Sequence, residues 1–245
     1  MAETNLEKQL VDVYNDVDSV LRDTTDYEGH LDHSSLLKHA ALNNPVVARH
    51  LSEMRSLAQL RNTIVHNPFG ADIKPLVTPN EIVVDRYKAI LKALRNPPLA
   101  MTIAVPGRMI YTAKKTDNLM EVFEKMDKNI FTHVPIIEGK QMVGVLSENS
   151  LLSFVADAKD AIIDKEATVE LLEKYIPLDK HRGEVFKFLP RDASLESVFA
   201  LFNDAIQVRE RIGMVFITQN GKDHEKPLGI LTAWDLANFD LDLLV

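Results

Sequence analysis

The stretch GVLSENSLLSF at residues 144–154 recurs, with the same apolar skeleton, as GILTAWDLANF at residues 229–239. These two segments are offset by 85 positions (229 − 144). A second pair, LMEVFEKM at 119–126 and LESVFALF at 195–202, is offset by 76 positions (195 − 119). Such a repeat indicates two copies of one unit, the second lengthened partly by the polar segment TQNGKDHEK at 218–226. Because a copy of about 60 residues is marginal for burying its own core, we expect the copies to pack on each other.

Short runs rich in β-branched residues alternate with helical stretches after residue 97, which predicts an α/β arrangement. The runs are MIYTA (109–113), HVPII (133–137), MVGVL (142–146), VFKFL (185–189), GMVFI (213–217) and PLGIL (227–231). The first copy then covers about residues 99–160 and the second about residues 183–245. The segment Asn96-Pro97-Pro98 is the expected boundary with the preceding part of the chain.

Residues 1–96 are predicted to form an all-helical bundle, because their apolar residues recur at three- and four-residue steps, first at Leu6, Leu10, Val13, Val17 and Leu21. Asn44 followed by Pro45 predicts a helix start, and that helix should end near His66, before Pro68. Ser34 and Thr78 are the expected caps of a short second helix and of the last helix. The predicted fold class is thus α+β or α/β: a helical bundle followed by a pseudo-symmetric pair over residues 97–245.

The composition narrows the classes of function. The formal net charge of −8 is not that of a protein that coats nucleic acid along a broad basic face. Without cysteine there is no disulfide framework, thiolate metal site or thiol catalysis, and we expect no metal site. The first ten residues, MAETNLEKQL, are not a secretory signal, and no apolar run is long enough to span a membrane. We therefore expect a cytoplasmic protein with no membrane partner.

The repeated turn carries a candidate ligand motif. In the second copy Gly229, Thr232 and Asp235 follow the pattern G-h-h-[ST]-x-x-[DN], at a strand-to-helix turn. A helix beginning near Thr232 presents free backbone N–H groups, which suit a phosphate. The Asp235 carboxylate can accept hydrogen bonds from both hydroxyls of a ribose. The alternative is a capping box, in which Thr232 caps the helix and Asp235 reaches back to it.

The repeat and this motif resemble the cystathionine-β-synthase (CBS) domain in its tandem form, over about residues 99–245. The resemblance implies an adenosine-type nucleotide (AMP, ADP, ATP or S-adenosylmethionine) as a regulatory ligand, with no cofactor required. The partners of Thr232 and Asp235 that it implies are Arg108, Met109, Ile110, Thr132, His133, Val134 and Pro135.

The first copy implies a second, weaker site. Ser147 matches the motif, but Ser150 stands where the carboxylate is expected. The opposite wall of this second site is expected to come from Val185, Phe186, Arg211, Gly213 and Met214.

The segment RNTIVH at residues 61–66 forms a separate candidate site in the helical part. Asn62 and His66 are four residues apart, so they are neighbours on a helix face away from the apolar stripe, and Arg61 lies at the edge of that stripe. The segment resembles the R-x4-6-H motif of HEPN domains, small helical bundles that often act as metal-independent endoribonucleases. That resemblance implies a homodimer in which His66 acts as acid or base and Arg61 holds a phosphate of an RNA substrate. The alternative is a structural His66 at a helix end.

Together these features predict a regulatory protein whose CBS pair senses an adenine nucleotide and controls the HEPN-like domain, which is catalytic in one hypothesis. In the alternative, the protein is a non-enzymatic nucleotide-sensing adaptor or dimerisation protein. A degenerate scaffold that binds no ligand is a third reading. We expect a homodimer, because the helical faces Leu119/Val122/Met126 and Leu195/Val198/Phe202 are apolar.

Overall fold

The computed structural model describes residues 6–25, 29, 31–66, 77–157 and 163–237. The chain divides into two compact units, and the boundary between them falls at Pro98 and Leu99. Among the described residues, no helix is long and apolar enough to cross a membrane.

The first unit contains four described helices: α1 (Leu6–Thr24), α2 (His33–Ala40), α3 (Pro45–Val65) and α4 (Glu81–Arg95). Each helix turns an apolar stripe toward one shared core, which includes Leu10, Leu37, Met54, Tyr87 and Ile90. The predicted face of α1 is confirmed, since Leu10, Val13, Val17 and Leu21 are all buried.

The helix starts agree with the sequence prediction at one point and differ at two. Asn44 caps α3 as predicted, and its Oδ1 accepts hydrogen bonds from the N–H groups of Val46 and Val47 at 3.0 and 3.2 Å. The predictions for Ser34 and Thr78 are wrong. Asp32 caps α2 by accepting from Ser35 N at 3.0 Å, and Asn80 caps α4 by accepting from Val83 N at 2.9 Å. The side chain that reaches the free N–H groups lies two residues from the predicted one in both cases.

The second unit contains six described strands and four described helices, joined partly by 3₁₀ turns. In chain order they are β1 (Val105–Pro106), α5 (Leu119–Asn129), β2 (His133–Glu138), β3 (Gln141–Ser147), α6 (Glu148–Asp157), β4 (Val185–Pro190), α7 (Leu195–Gln207), β5 (Ile212–Thr218), β6 (Gly229–Leu231) and α8 (Ala233–Ala237).

The described strands form a four-stranded sheet in the order β1-β6-β5-β4 and a two-stranded sheet of β2 and β3. Strand β4 is parallel to β5, and β6 is antiparallel to β5. In the first half, Ala113 makes a parallel bridge to Ile136 of β2, and β2 is antiparallel to β3.

The run MIYTA does not form the predicted strand. Residues Gly107–Met109 form a 3₁₀ turn, and only Ala113 pairs with a strand. The N–H of Gly107 donates to the carbonyl of Leu228 at 2.7 Å, which ties this segment to the second half of the unit. Tertiary pairing therefore overrides the β-propensity of the run.

The two halves of this unit pack on each other, as predicted. Ile137, Met142 and Val145 from the first half form one buried cluster with Met214 and Phe216 from the second. The apolar faces of α5 and α7 are largely covered within the chain, and Phe202 of α7 stays partly exposed. Leu119, Val122 and Met126 are at most 7% exposed, and Leu195 and Val198 are fully buried.

Candidate functional site

A cavity of about 200 Å³ lies where segments from both halves of the second unit meet. Its wall combines the segment after β1, the start of β2, strands β5 and β6, and the turn into α8. The lining residues are Val105, Met109, Ile110, Tyr111, Ile130, Phe131, Thr132, His133, Met214, Ile230, Thr232 and Asp235.

Six of the nine residues predicted for the first site line this cavity: Met109, Ile110, Thr132, His133, Thr232 and Asp235. The other three do not. Arg108 is exposed, and Val134 and Pro135 are buried in β2. Val134 belongs to the core of the first half, because side chains alternate along a strand and its neighbour His133 takes the cavity side.

The sequence missed the aromatic part of the wall. Tyr111 and Phe131 stack with ring centroids 6.2 Å apart. Tyr111 follows the predicted residue Ile110 in the chain, and Phe131 precedes the predicted residue Thr132. An aromatic residue next to each of these positions is the signal by which the sequence could have predicted them. Ile230 was also missed, although it lies inside the repeated motif between Gly229 and Thr232.

The turn into α8 has the geometry of a helix cap formed by Thr232 and Asp235. Oδ2 of Asp235 accepts hydrogen bonds from both the N–H and the hydroxyl of Thr232, each at 2.7 Å. Oδ1 makes no hydrogen bond with any residue that the structure describes. One carboxylate oxygen therefore holds the turn, and the other is available to a ligand.

His133 is held in one orientation from both ring nitrogens. Nε2 lies 3.0 Å from Oε2 of Glu184, and Nδ1 lies 2.7 Å from the hydroxyl of Thr132. Because an ionised carboxylate only accepts hydrogen bonds, Nε2 must carry a proton. His133 thus connects the wall of the cavity to Glu184.

Glu184 is buried at the centre of a polar network. Its Oε1 accepts from the Ser147 hydroxyl at 2.7 Å, and its Oε2 accepts from Asn149 Nδ2 at 2.9 Å. His181 Nδ1 lies 3.1 Å from Oε1, while His181 Nε2 faces the carbonyl of Ile176 at 3.3 Å. Both nitrogens of His181 therefore face acceptor oxygens.

This network also sets the charge state of the buried carboxyl. Burial by itself opposes ionisation, but hydrogen bonds from His133, His181 and Ser147 outweigh it and lower the pKa of Glu184 well below its ordinary value. Nothing in the sequence around Glu184 singles it out, because its donors lie up to 51 positions away.

The position predicted for the second, weaker site is occupied by Glu184. Ser147 and Ser150 are 1% and 2% exposed, and the Ser147 hydroxyl donates to the Glu184 carboxylate. Phe186 packs against the His133 and His181 rings. The remaining predicted residues do not form a common wall: Met214 lines the first cavity, Arg211 is exposed, Val185 pairs with Ile212, and Gly213 faces His133.

Residues 103–157 match the family model of the CBS domain. This match includes Thr132 and His133 in the cavity wall and the Ser147–Ser150 turn. No curated protein matches the chain.

Three solved structures are similar to part of this chain. A protein assigned to acetoin utilization from Vibrio cholerae is 19% identical, with a TM-score of 0.40, over 58% of this chain and 89% of that chain. A CBS domain pair in complex with 5′-methylthioadenosine and S-adenosyl-L-methionine is 18% identical, with a TM-score of 0.39, over 58% of this chain and 94% of that chain. The CBS domain of a bacterial CNNM/CorC family Mg²⁺ transporter, in complex with ATP, is 14% identical, with a TM-score of 0.38, over 61% of this chain and 90% of that chain.

Outside the CBS region, the RNTIVH segment forms the end of α3. Asn62 and His66 are exposed, as predicted, and His66 is the residue at which the helix stops. Arg61 behaves differently, because its guanidinium lies 4.6 Å from the centre of the Tyr14 ring and donates to Asn62 Oδ1 at 3.1 Å. Within the chain, Arg61 therefore packs on its own unit, while Asn62 and His66 face outward.

No group of three or more His, Cys, Asp or Glu side chains is arranged to hold a metal ion in the part of the chain that the structure describes.

Proposed function

We propose that the second unit is a tandem CBS pair that senses an adenosine-type nucleotide (AMP, ADP, ATP or S-adenosylmethionine). The observation that carries the proposal is the convergence on one cavity of Met109, Thr132, His133, Thr232 and Asp235, from three distant parts of the sequence. In this proposal the pair is pseudo-symmetric in fold and regulates the helical unit.

Different parts of the cavity wall suit the base and the ribose of a nucleotide. Met109, Ile110, Tyr111, Phe131 and Ile230 supply apolar and aromatic surface for a flat purine. Asp235 Oδ1 would accept hydrogen bonds from the ribose hydroxyls, which are charge-assisted and therefore strong.

The size of the cavity bears on the remainder of the nucleotide. Its volume of about 200 Å³ is below the roughly 300–1,000 Å³ of typical small-molecule sites. A bound nucleotide would therefore keep its charged end at the mouth. The exposed Arg108, next to Met109 in the chain, is the residue we assign to that end.

Glu184 supports a stoichiometry of one nucleotide per chain. Its carboxylate already uses the hydroxyl of Ser147, the group that a ligand of the first copy's turn would need. A phosphate at this position would also meet the negative charge of the Glu184 carboxylate.

Isothermal titration calorimetry with AMP, ADP, ATP and S-adenosylmethionine tests the proposal. We expect one site per chain for at least one ligand, and a loss of about 1.5–3 kcal/mol of binding free energy in Asp235→Ala, the range for a hydrogen bond to a charged group. Asp204→Ala removes an exposed acid on α7 and is the matched control, with no expected effect. Absence of heat from all four ligands at millimolar concentration would leave the capping box as the sole role of Asp235.

A homodimer is part of the proposal. The support is exposed apolar surface, because Leu152 and Val155 on α6 are 66% and 54% exposed and Trp234 on α8 is 79% exposed. A closed two-fold pairing is the commonest way to bury such surface. Light scattering is expected to give about twice the chain mass of 27.6 kDa, and a monomer at every concentration would rule the dimer out.

A second candidate function belongs to the helical unit, a HEPN-like, metal-independent endoribonuclease acting on an RNA substrate. It is favoured by the exposure of Asn62 and His66 and by an Arg61 guanidinium that makes no ion pair with the described residues. In this proposal two subunits bring Arg61 and His66 to one cleft. The alternative is a non-enzymatic adaptor in which the helical unit only docks partners.

A further inference from the structure

The helical unit contains a cavity of its own, among α1, the start of α2 and α3. Its volume is about 350 Å³, which falls within the roughly 300–1,000 Å³ of small-molecule sites. Arg55, Ala58, Gln59 and Asn62 form the α3 wall. Their spacing of three, four and seven residues from Arg55 places them on one helix face, and the small side chain of Ala58 leaves room between the longer ones.

Two side chains of this wall carry buried nitrogens that lack a hydrogen-bond partner among the described residues, His33 Nε2 and Arg55 Nε. His33 is held firmly, because its Nδ1 lies 2.7 Å from Asp18 Oδ1 and its ring packs 4.4 Å from that of Tyr14. An unpartnered buried polar group is costly, so the two nitrogens indicate a missing polar partner.

The charges around the cavity favour an anion as that partner. Arg55 makes no ion pair with the described residues. Arg61 likewise forms no ion pair within the described part of the chain, and its guanidinium lies over the Tyr14 ring that lines the same cavity. Arg22 is neutralised by Asp18 through a 2.7 Å ion pair.

One carboxylate, that of Asp32, also lines the cavity and opposes an anion. Its two oxygens are already engaged, since Oδ1 accepts from Ser35 N at 3.0 Å and Oδ2 accepts from the Ser35 hydroxyl at 2.7 Å. Of the charged groups described here, three guanidiniums (Arg22, Arg55 and Arg61) thus stand against two carboxylates (Asp18 and Asp32), which leaves a positive balance.

We propose that this cavity binds a small phosphate-bearing molecule, with Arg55 as its principal ligand and His33 Nε2, Ser34, Gln59 and Asn62 as further donors. The number of donors favours phosphate over carboxylate, because a phosphate offers more acceptor oxygens in more directions. Burial of Arg55 Nε and His33 Nε2 favours a small molecule over the backbone of a nucleic acid, which needs an open surface. The site lies wholly in the helical unit and does not depend on the nucleotide proposal.

The test uses the full chain and four probes: orthophosphate, pyrophosphate, malonate as a carboxylate control, and a short single-stranded RNA. Nuclear magnetic resonance of the His33 imidazole reports binding directly, and calorimetry gives the affinity. We expect millimolar or tighter binding of orthophosphate or pyrophosphate that shifts the His33 resonance, with little response to malonate. Arg55→Gln is expected to weaken phosphate binding by at least about tenfold, and Arg55→Lys to restore part of it.

Arg49→Gln is the matched control, because it removes the same charge from an exposed position earlier on α3. An equal loss in Arg49→Gln and Arg55→Gln would mean general charge attraction and would overturn the proposal, as would a His33 resonance that phosphate does not move in the wild type. A His33 response only to RNA would assign the cavity to a nucleic-acid backbone instead. If phosphate does not shift the His33 resonance but calorimetry still detects nucleotide binding, this proposal has failed and the nucleotide proposal has not.

Discussion

Oε2 of Glu184 lies 3.0 Å from Nε2 of His133, a residue of the cavity wall. The same Glu184 carboxylate accepts a hydrogen bond from Ser147, in the turn of the first copy. The two positions that the repeat makes equivalent are therefore chemically different. One presents a cavity with a spare carboxylate oxygen at Asp235, and the other is closed by an internal carboxylate.

Removal of the Glu184 carboxylate should destabilise the second unit strongly. Glu184→Ala leaves the donors of His133, Ser147, Asn149 and His181 buried without their acceptor, and we expect a loss of about 3–5 kcal/mol in the free energy of unfolding. Glu184→Gln keeps the size of the side chain and should cost about 1–3 kcal/mol. Urea unfolding measures both. Glu124→Ala, an exposed acid on α5, is the control and should change stability by less than about 0.5 kcal/mol. A Glu184→Ala protein as stable as the wild type would contradict the network.

The same carboxyl should make stability depend on acidic pH. Because the pKa of Glu184 is lower in the folded chain than its ordinary value of 4.5, its contribution is fully present above that value and is lost as the pH falls below it. The difference in unfolding free energy between wild type and Glu184→Gln should be smaller below pH 4.5 than above it. Unfolding measured as a function of pH gives this difference directly. A difference that grows on acidification would show the opposite sign of the pKa shift.

Gly144 is expected to tolerate no side chain. Its φ is +150°, and a Cβ built on it would lie 2.1 Å from the carbonyl oxygen of Ile176. Since that carbonyl also accepts from Val145 N at 2.9 Å, the backbone cannot retreat without breaking the pairing that positions Ser147. Gly144→Ala should cost about 3 kcal/mol or more. Gly139→Ala, at φ +62° with open space around it, should cost only about 1–2 kcal/mol, and equal losses in the two variants would contradict the steric argument.

Ribonuclease activity of the helical unit, if the segment RNTIVH is catalytic, should need no metal and should survive EDTA. Arg61→Ala and His66→Ala should each abolish cleavage of single-stranded RNA, and a substrate with a 2′-deoxy linkage should stay intact, since the 2′-hydroxyl is the nucleophile. Assays of wild type and variants with and without adenine nucleotides measure this. RNA left intact by the wild type in every condition would leave the adaptor role.

Measurements of stability distinguish the role of Arg61 from that of His66. Arg61→Ala should also lose about 0.5–1 kcal/mol of stability, because it gives up the contact with the Tyr14 ring. His66 is exposed at the end of α3 and should lose less. A His66→Ala protein that is less stable but otherwise unchanged would assign His66 to the helix end.

Local patterns in the sequence predicted much of the fold. The helical faces of α1, α5 and α7, the Asn44 cap and five of the six predicted strand runs agree with the structure. These features depend on residues within a turn or a few strand positions of one another, and the period of apolar residues reports them directly. The caps Asp32 and Asn80 were missed because several nearby residues are equally good caps by type.

In the candidate site, too, the local features were predictable from the sequence and the long-range contacts were not. The sequence by itself determined the motif Gly229, Thr232 and Asp235, because that turn is local and its hydrogen bonds span three positions. Only the tertiary structure decided that Tyr111 and Phe131 share its wall, and that Glu184 closes the equivalent turn from 37 positions beyond Ser147. A buried carboxylate is stable only where folding brings several donors to it at once, and no pattern of neighbouring residues encodes that meeting.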